Sequence, residues 1–212
     1  MKFLVFPFFT LFLASTSKSQ VAFNFFAGPQ ATSAKYSANS VKQPTKLKYG
    51  FQAGLGLRVP FDKKLYFAPA LFYSMKGYKV TFNQFLNLPD ITATDNNTTL
   101  HTVETAFLLQ YYFTDQPNHA FLKSGPSLDF QLSGHEKFNT TANSSVSRKM
   151  KFSYGDYGHY AANWLVQAGY ETGTGFIIFA QYSHGLASIN NADDGPAIRH
   201  RAFGISVGKY FK

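Results

Sequence analysis

The chain has 212 residues, enough for one domain of ordinary size, with 18% aromatic and only 15% charged residues, against about 25% charged in soluble domains. It has no cysteine, which excludes disulfides, thiolate metal sites, a thiol nucleophile and a lipidated cysteine. The net charge of +9 comes from scattered basic residues, densest at Lys42, Lys46, Lys48 and at Arg148, Lys149, Lys151, and neither group carries a nucleic-acid motif. With a mean hydropathy of −0.16, and no internal apolar run of the ~20 residues that a spanning helix needs, a bundle of membrane helices is excluded as well.

The N-terminal stretch MKFLVFPFFTLFLASTSKSQ has one cation, Lys2, an apolar run from Phe3 to Ala14, and a small, polar tail. This is the layout of a secretory signal peptide. We assign 1–19 as signal peptide and 20–212 as one barrel domain. Removing Lys2 and Lys18 leaves 18 basic against 11 acidic residues.

Eight strands follow, each read from period-two alternation. The first is Val21–Pro29, with Val21, Phe23 and Phe25 on one face. The second, Tyr49–Val59, sets Tyr49, Phe51, Leu55 and Leu57 against Gly50, Gln52, Gly54, Gly56 and Arg58. In the third, Leu65–Phe82, Phe67, Leu71, Tyr73 and Met75 oppose Ala68, Ala70, Ser74 and Lys76. The fourth is Leu100–Phe113 and the fifth Ala120–Leu132. Tyr160–Tyr170, Phe176–Ser183 and Ile198–Phe211 complete the set. The connections 60–64, 114–119 and 171–175 are short. The connections 30–48, 83–99, 133–159 and 184–197 are long, and the two classes alternate. Long connections without secondary structure are unusual in a compact soluble domain. Short turns at one end, long loops at the other and an even strand number match an outer-membrane barrel.

The expected fold is therefore all-β: an eight-stranded antiparallel up-and-down transmembrane barrel, with apolar rows on lipid and both termini on the periplasmic side. Lipid offers no water to an open sheet edge, so the sheet must close. A soluble eight-stranded barrel carrying an apolar ligand has the same alternation with its faces exchanged. Glycine-rich opposite rows and abundant large aromatics argue against that exchange.

The segment FAPALFYSMKG, Phe67–Gly77, following the glycine-spaced second strand, resembles the PorT-like outer-membrane β-barrel family of Gram-negative bacteria. LLQYYF (Leu108–Phe113), FAQYSHGL (Phe179–Leu186) and FGISVGKYF (Phe203–Phe211) are similar to that family too. Lys212 after the terminal aromatic departs from the barrel insertion signal. The resemblance implies an outer-membrane location, contact with the barrel insertion machinery during biogenesis, and a tie to secretion machinery. It carries over no catalytic or binding residue.

Inward-facing Glu104, Lys123, Asp129, Gln131, Gln167 and Gln181 are expected to form a polar network filling the lumen, since buried charges must pair. The loop 133–159, with Arg148, Lys149, Lys151, Tyr154 and Tyr157, is the candidate surface-contact region. Ser183 and His184 suggest lipid hydrolysis as an alternative, but adjacent strand residues point to opposite faces. His135, His159 and His200 lie in or near the long loops without ligand-like spacing. Asn190, Asp193, Asp194 and Gly195 resemble part of a calcium loop without its spacing. We expect a monomeric, non-enzymatic protein with no cofactor, surrounded by outer-membrane lipid, with an envelope or secretion-complex protein as partner.

Overall fold

The structure, a computed structural model, describes residues 21–83, 89–193 and 195–211. The assigned signal peptide and Asp194 lie outside the described residues.

Alternation becomes strand along nearly the whole described chain. The strands are β1 (Ala22–Ala38), β2 (Val41–Gln43), β3 (Thr45–Lys46), β4 (Lys48–Asp62), β5 (Leu65–Thr81), β6 (Asp95–Tyr112), β7 (His119–Asn139), β8 (Ser145–Lys149), β9 (Tyr160–Glu171), β10 (Phe176–Gly185) and β11 (Ala197–Phe211). Eight of them form an antiparallel ring in the order β1–β4–β5–β6–β7–β9–β10–β11. The ring closes where β11 returns to β1, from Phe23 opposite Phe211 to Ser37 opposite Ala197. Gly28 lies at this seam; an added Cβ would run into the backbone of Ile205 and Ser206. The seam thus closes over a residue with no side chain.

The apolar rows are on the outside. Phe25, Leu55, Leu71, Phe107, Leu128, Trp164, Ile178 and Val207 are all exposed, which is the reverse of a soluble barrel. The orientation expected from the sequence holds on every ring strand. No described helix is long and apolar enough to cross a membrane; this chain crosses with strands.

The long connections differ from expectation. Residues 30–38 continue β1, with Gln30, Thr32, Ala34, Tyr36 and Ala38 inward. β1 and β2 are joined by a two-residue turn at Asn39 and Ser40, both with positive φ (47° and 64°), as tight hairpins favour. β7 likewise runs to Asn139 and pairs with β8 inside the predicted loop 133–159. Above the lipid belt neither face needs to be apolar, so the hydropathy contrast fades. The backbone groups still require partners, and the ladder continues.

Two apolar cores fill the interior. One, toward the short turns, packs Phe26, Phe72, Leu108, Phe121, Leu165 and Phe179. The other, toward the long hairpins, packs Tyr36, Tyr78, Leu100, Met150, Tyr157 and Ile198. Glycine does occur in the inward rows, but beside these large side chains: Phe72 fills the space over Gly54.

Candidate functional site

Between the two cores lies a polar waist. Lys76 comes from β5, Glu104 from β6, Asp129 from β7 and Asn163 from β9, each at an inward position of its strand. The cross-strand register sets Glu104 opposite Asp129 and opposite Phe72. Lys76 Nζ donates to Glu104 Oε2 at 2.7 Å and to both Asp129 carboxylate oxygens at 2.8 Å. Ser127 Oγ donates to Glu104 Oε1 at 2.5 Å, and Asn163 Nδ2 to Asp129 Oδ2 at 3.0 Å. One cation thus holds two carboxylates out of water, and neighbouring polar groups satisfy their remaining lone pairs.

The predicted network is divided rather than continuous. Glu104 and Asp129 belong to this ionic cluster. Gln167 and Gln181 belong to a separate chain: Gln167 donates to Gln181 at 2.7 Å, Gln181 to Gln52 at 2.9 Å, and Gln52 to Ser206 at 3.0 Å. Lys123 does not reach the carboxylates. Its ammonium lies 3.3 Å from the Tyr210 hydroxyl and over the Phe121 ring. Gln131 is buried, and its side-chain amide has no hydrogen-bond partner among the described residues. The missing member of the sequence reading is Lys76, already on the inward row with Ser74. Its role was legible only once β5, β6 and β7 were in register.

A second ionic group closes the short-turn end. Arg58 Nη1 donates to Glu171 Oε2 at 2.6 Å and to the Tyr112 hydroxyl, and Tyr112 donates to the same carboxylate oxygen at 2.9 Å. The guanidinium lies 4.0 Å over the Tyr210 ring. A cavity of about 690 Å³ opens beside Arg58, Tyr66, His119 and Glu171. Deeper in, the void beside Lys123, Gln167 and Phe179 is only about 10 Å³, room for one water at most.

The third group lies in the long-hairpin end. Glu136 Oε1 accepts from Arg148 Nε at 2.7 Å, and its Oε2 from the Tyr157 hydroxyl at 3.0 Å and Asn96 Nδ2 at 3.2 Å. Arg148 Nη2 also donates to the Pro89 carbonyl at 2.6 Å. Burial, then the neighbouring Tyr78 and Glu136, hold the Tyr157 hydroxyl protonated well above the usual phenol range, so it acts here as a donor. This corrects the expected contact surface. Tyr157 is 2% exposed and belongs to the upper core, because its hydroxyl finds the buried carboxylate there. Arg148 binds Glu136 and stays exposed at 44% of its side chain. Lys149, Lys151 and Tyr154 remain exposed, Tyr154 at 97%.

Glu136→Ala removes the acceptor of three donors. We expect the outer hairpin to loosen by about 3 kcal/mol, the scale of a broken buried pair. Trypsin cleavage at Arg148, Lys149 and Lys151 should accelerate while the folded band on an unboiled gel persists. Unchanged cleavage would show that Glu136 does not tether this hairpin.

The other candidates stay apart. Ser183 is buried in the lumen while His184 faces outward, with Nδ1 3.3 Å from the Tyr182 hydroxyl. His135 contacts Ser147, His159 stacks on Phe130, and His200 packs on Tyr78. Among the described residues, no group of three metal-ligating side chains is assembled. Asn190 caps its own loop, with its side chain bonded to both backbone groups of Ala192.

Solved structures of three bacterial proteins are similar to this chain. The attachment invasion locus protein Ail of Yersinia pestis has a TM-score of 0.47 and 12% identity, covering 90% of this chain and 98% of that one. The outer membrane protein OprG from Pseudomonas aeruginosa has a TM-score of 0.48 and 12% identity, covering 91% and 97%. Neisserial surface protein A has a TM-score of 0.42 and 13% identity, covering 88% and 97%. No curated protein matches the chain. The family described as outer membrane protein beta-barrel domain matches residues 13–191, so the chain belongs to that family and its location is the outer membrane.

Proposed function

We propose that this chain is a non-enzymatic, monomeric outer-membrane barrel with a sealed lumen, acting by contact through its long hairpins. One observation carries this reading: beyond the cavity at its short-turn end, the lumen is filled by two apolar cores and an ionic waist whose charges are paired. A narrow eight-stranded barrel has space only for side chains, and here they occupy it. Transport or lumen chemistry then has no room, and the surface left for work is the exposed segment with Lys149, Lys151 and Tyr154. A signal peptide over 1–19 delivers the chain; the even strand number puts both termini on the side of the short turns, and we take that side as the periplasmic one. The motif FAPALFYSMKG supports membership of the PorT-like branch, with an envelope or secretion-complex protein as the partner at the hairpins.

Purified protein in planar bilayers should give no steady conductance. A photo-crosslinking residue at Tyr154 should yield a discrete protein adduct in intact cells, and one at lipid-facing Phe107 should not. A stable open conductance would overturn the sealed lumen; no adduct at Tyr154, Lys149 or Lys151 would overturn the contact role.

A further inference from the structure

Lys35, Arg199 and Arg201 converge on the outer face of the β1–β11 seam. The register sets Lys35 directly opposite Arg199, and Arg201 between Ser33 on β1 and His184 on β10. Each side chain occupies an outward, exposed position. Directly below them on the same faces are Phe203 and Tyr182, themselves cross-strand partners. An aromatic pair at this height marks the boundary of the hydrocarbon layer. The cations therefore stand where lipid headgroups lie.

Like charges facing each other across a ladder destabilise a sheet. Two inward-facing cations have carboxylates, Arg58 with Glu171 and Lys76 with Glu104 and Asp129, and inward Lys123 lies against the Tyr210 hydroxyl and the Phe121 ring. Among the described residues, no carboxylate lies within ion-pairing distance of Lys35, Arg199 or Arg201. Three adjacent cations above an aromatic belt lack only a counter-charge. Two of them are arginines, whose planar forks match phosphate oxygens in a way lysine cannot.

We propose that Lys35, Arg199 and Arg201 form a binding site for the phosphate of a membrane lipid headgroup in the leaflet at the long-hairpin end. The lipid's acyl chains lie along the Phe203 and Tyr182 row, so the site favours a lipid over a free ion. Assigning that leaflet as the outer one rests on the orientation proposed above. The phosphate site itself does not, and it is tested independently of orientation.

The barrel, purified in neutral detergent, is titrated with lipid A, with dephosphorylated lipid A and with phosphatidylcholine, and adducts are counted by native mass spectrometry. Wild type should retain lipid A and prefer it to both controls. Lys35→Gln/Arg199→Gln/Arg201→Gln should weaken retention at least about tenfold, from roughly fivefold for each basic group removed near an anionic surface. The single Arg201→Gln should give an intermediate loss. Lys149→Gln/Lys151→Gln, which removes charge from the exposed hairpin, should leave retention unchanged. A heat-dependent gel shift verifies that each variant is folded. Retention by the triple variant, equal loss in the hairpin control, or full competition by inorganic phosphate would each overturn the site.

Discussion

Lys76→Met should be among the most destabilising single substitutions in this barrel, costing about 3–5 kcal/mol. Lys76 is the only cation in contact with Glu104 and Asp129 among the described residues, and both carboxylates are completely buried. Methionine has a similar shape, so packing is nearly kept and the loss is electrostatic. The two carboxylates would face each other across β6 and β7 with no counter-charge. Combining Lys76→Met with Glu104→Leu and Asp129→Leu should recover at least half of the loss, because an ionic cluster replaced whole by apolar groups leaves no buried charge behind. Urea unfolding in micelles, followed through the lone tryptophan Trp164 on the lipid face, reads both results. A single variant as stable as wild type would mean that water reaches the waist and screens it.

Phe72→Ala tests the apolar plug below that waist. Phe72 is 1% exposed and packs against Phe26, the rings tilted by 59° with centroids 5.7 Å apart, and Phe26 in turn meets Phe179 edge-on at 5.4 Å. Truncation should cost about 3–5 kcal/mol, the usual range for a buried phenylalanine. The neighbours are fixed to a closed sheet and cannot collapse into the space, which favours the upper end. The variant should still not conduct, because the ionic waist and the upper core remain in place. Urea midpoints and bilayer recordings together check this. Conductance appearing in Phe72→Ala would show that one aromatic layer alone seals the lumen.

Much of the barrel was readable from residue order. Period-two rows such as Phe51, Leu55 and Leu57 against Gln52, Gly54 and Gly56 state both strand and orientation, since lipid tolerates only one of the two faces. Alternating short and long connections state the ring. Where the lipid constraint ends, legibility ended too. Residues 30–38 carry little contrast between faces, so residue order alone does not distinguish that strand from a loop. Phe72 does not stand out in its row, because an expected polar interior gives a phenylalanine no inward role, although a lumen this narrow is packed like any protein core.

The site shows the same division. By itself the sequence determined which polar residues point inward, Glu104, Asp129, Gln167 and Gln181 among them, because strand geometry alternates without regard to neighbours. Only the tertiary structure decided which of them meet. Lys76 reaches Asp129 across 53 positions of chain, whereas Lys123, equally inward, sits against Tyr210 and the aromatic core. Tyr157 and Tyr154, three residues apart, lie one inside and one outside because Glu136 offers a buried acceptor to only one of them. Alternation is local and survives in a one-dimensional string. Register depends on where the hairpins turn and how the ring closes, and that is set by contacts between segments far apart in the chain.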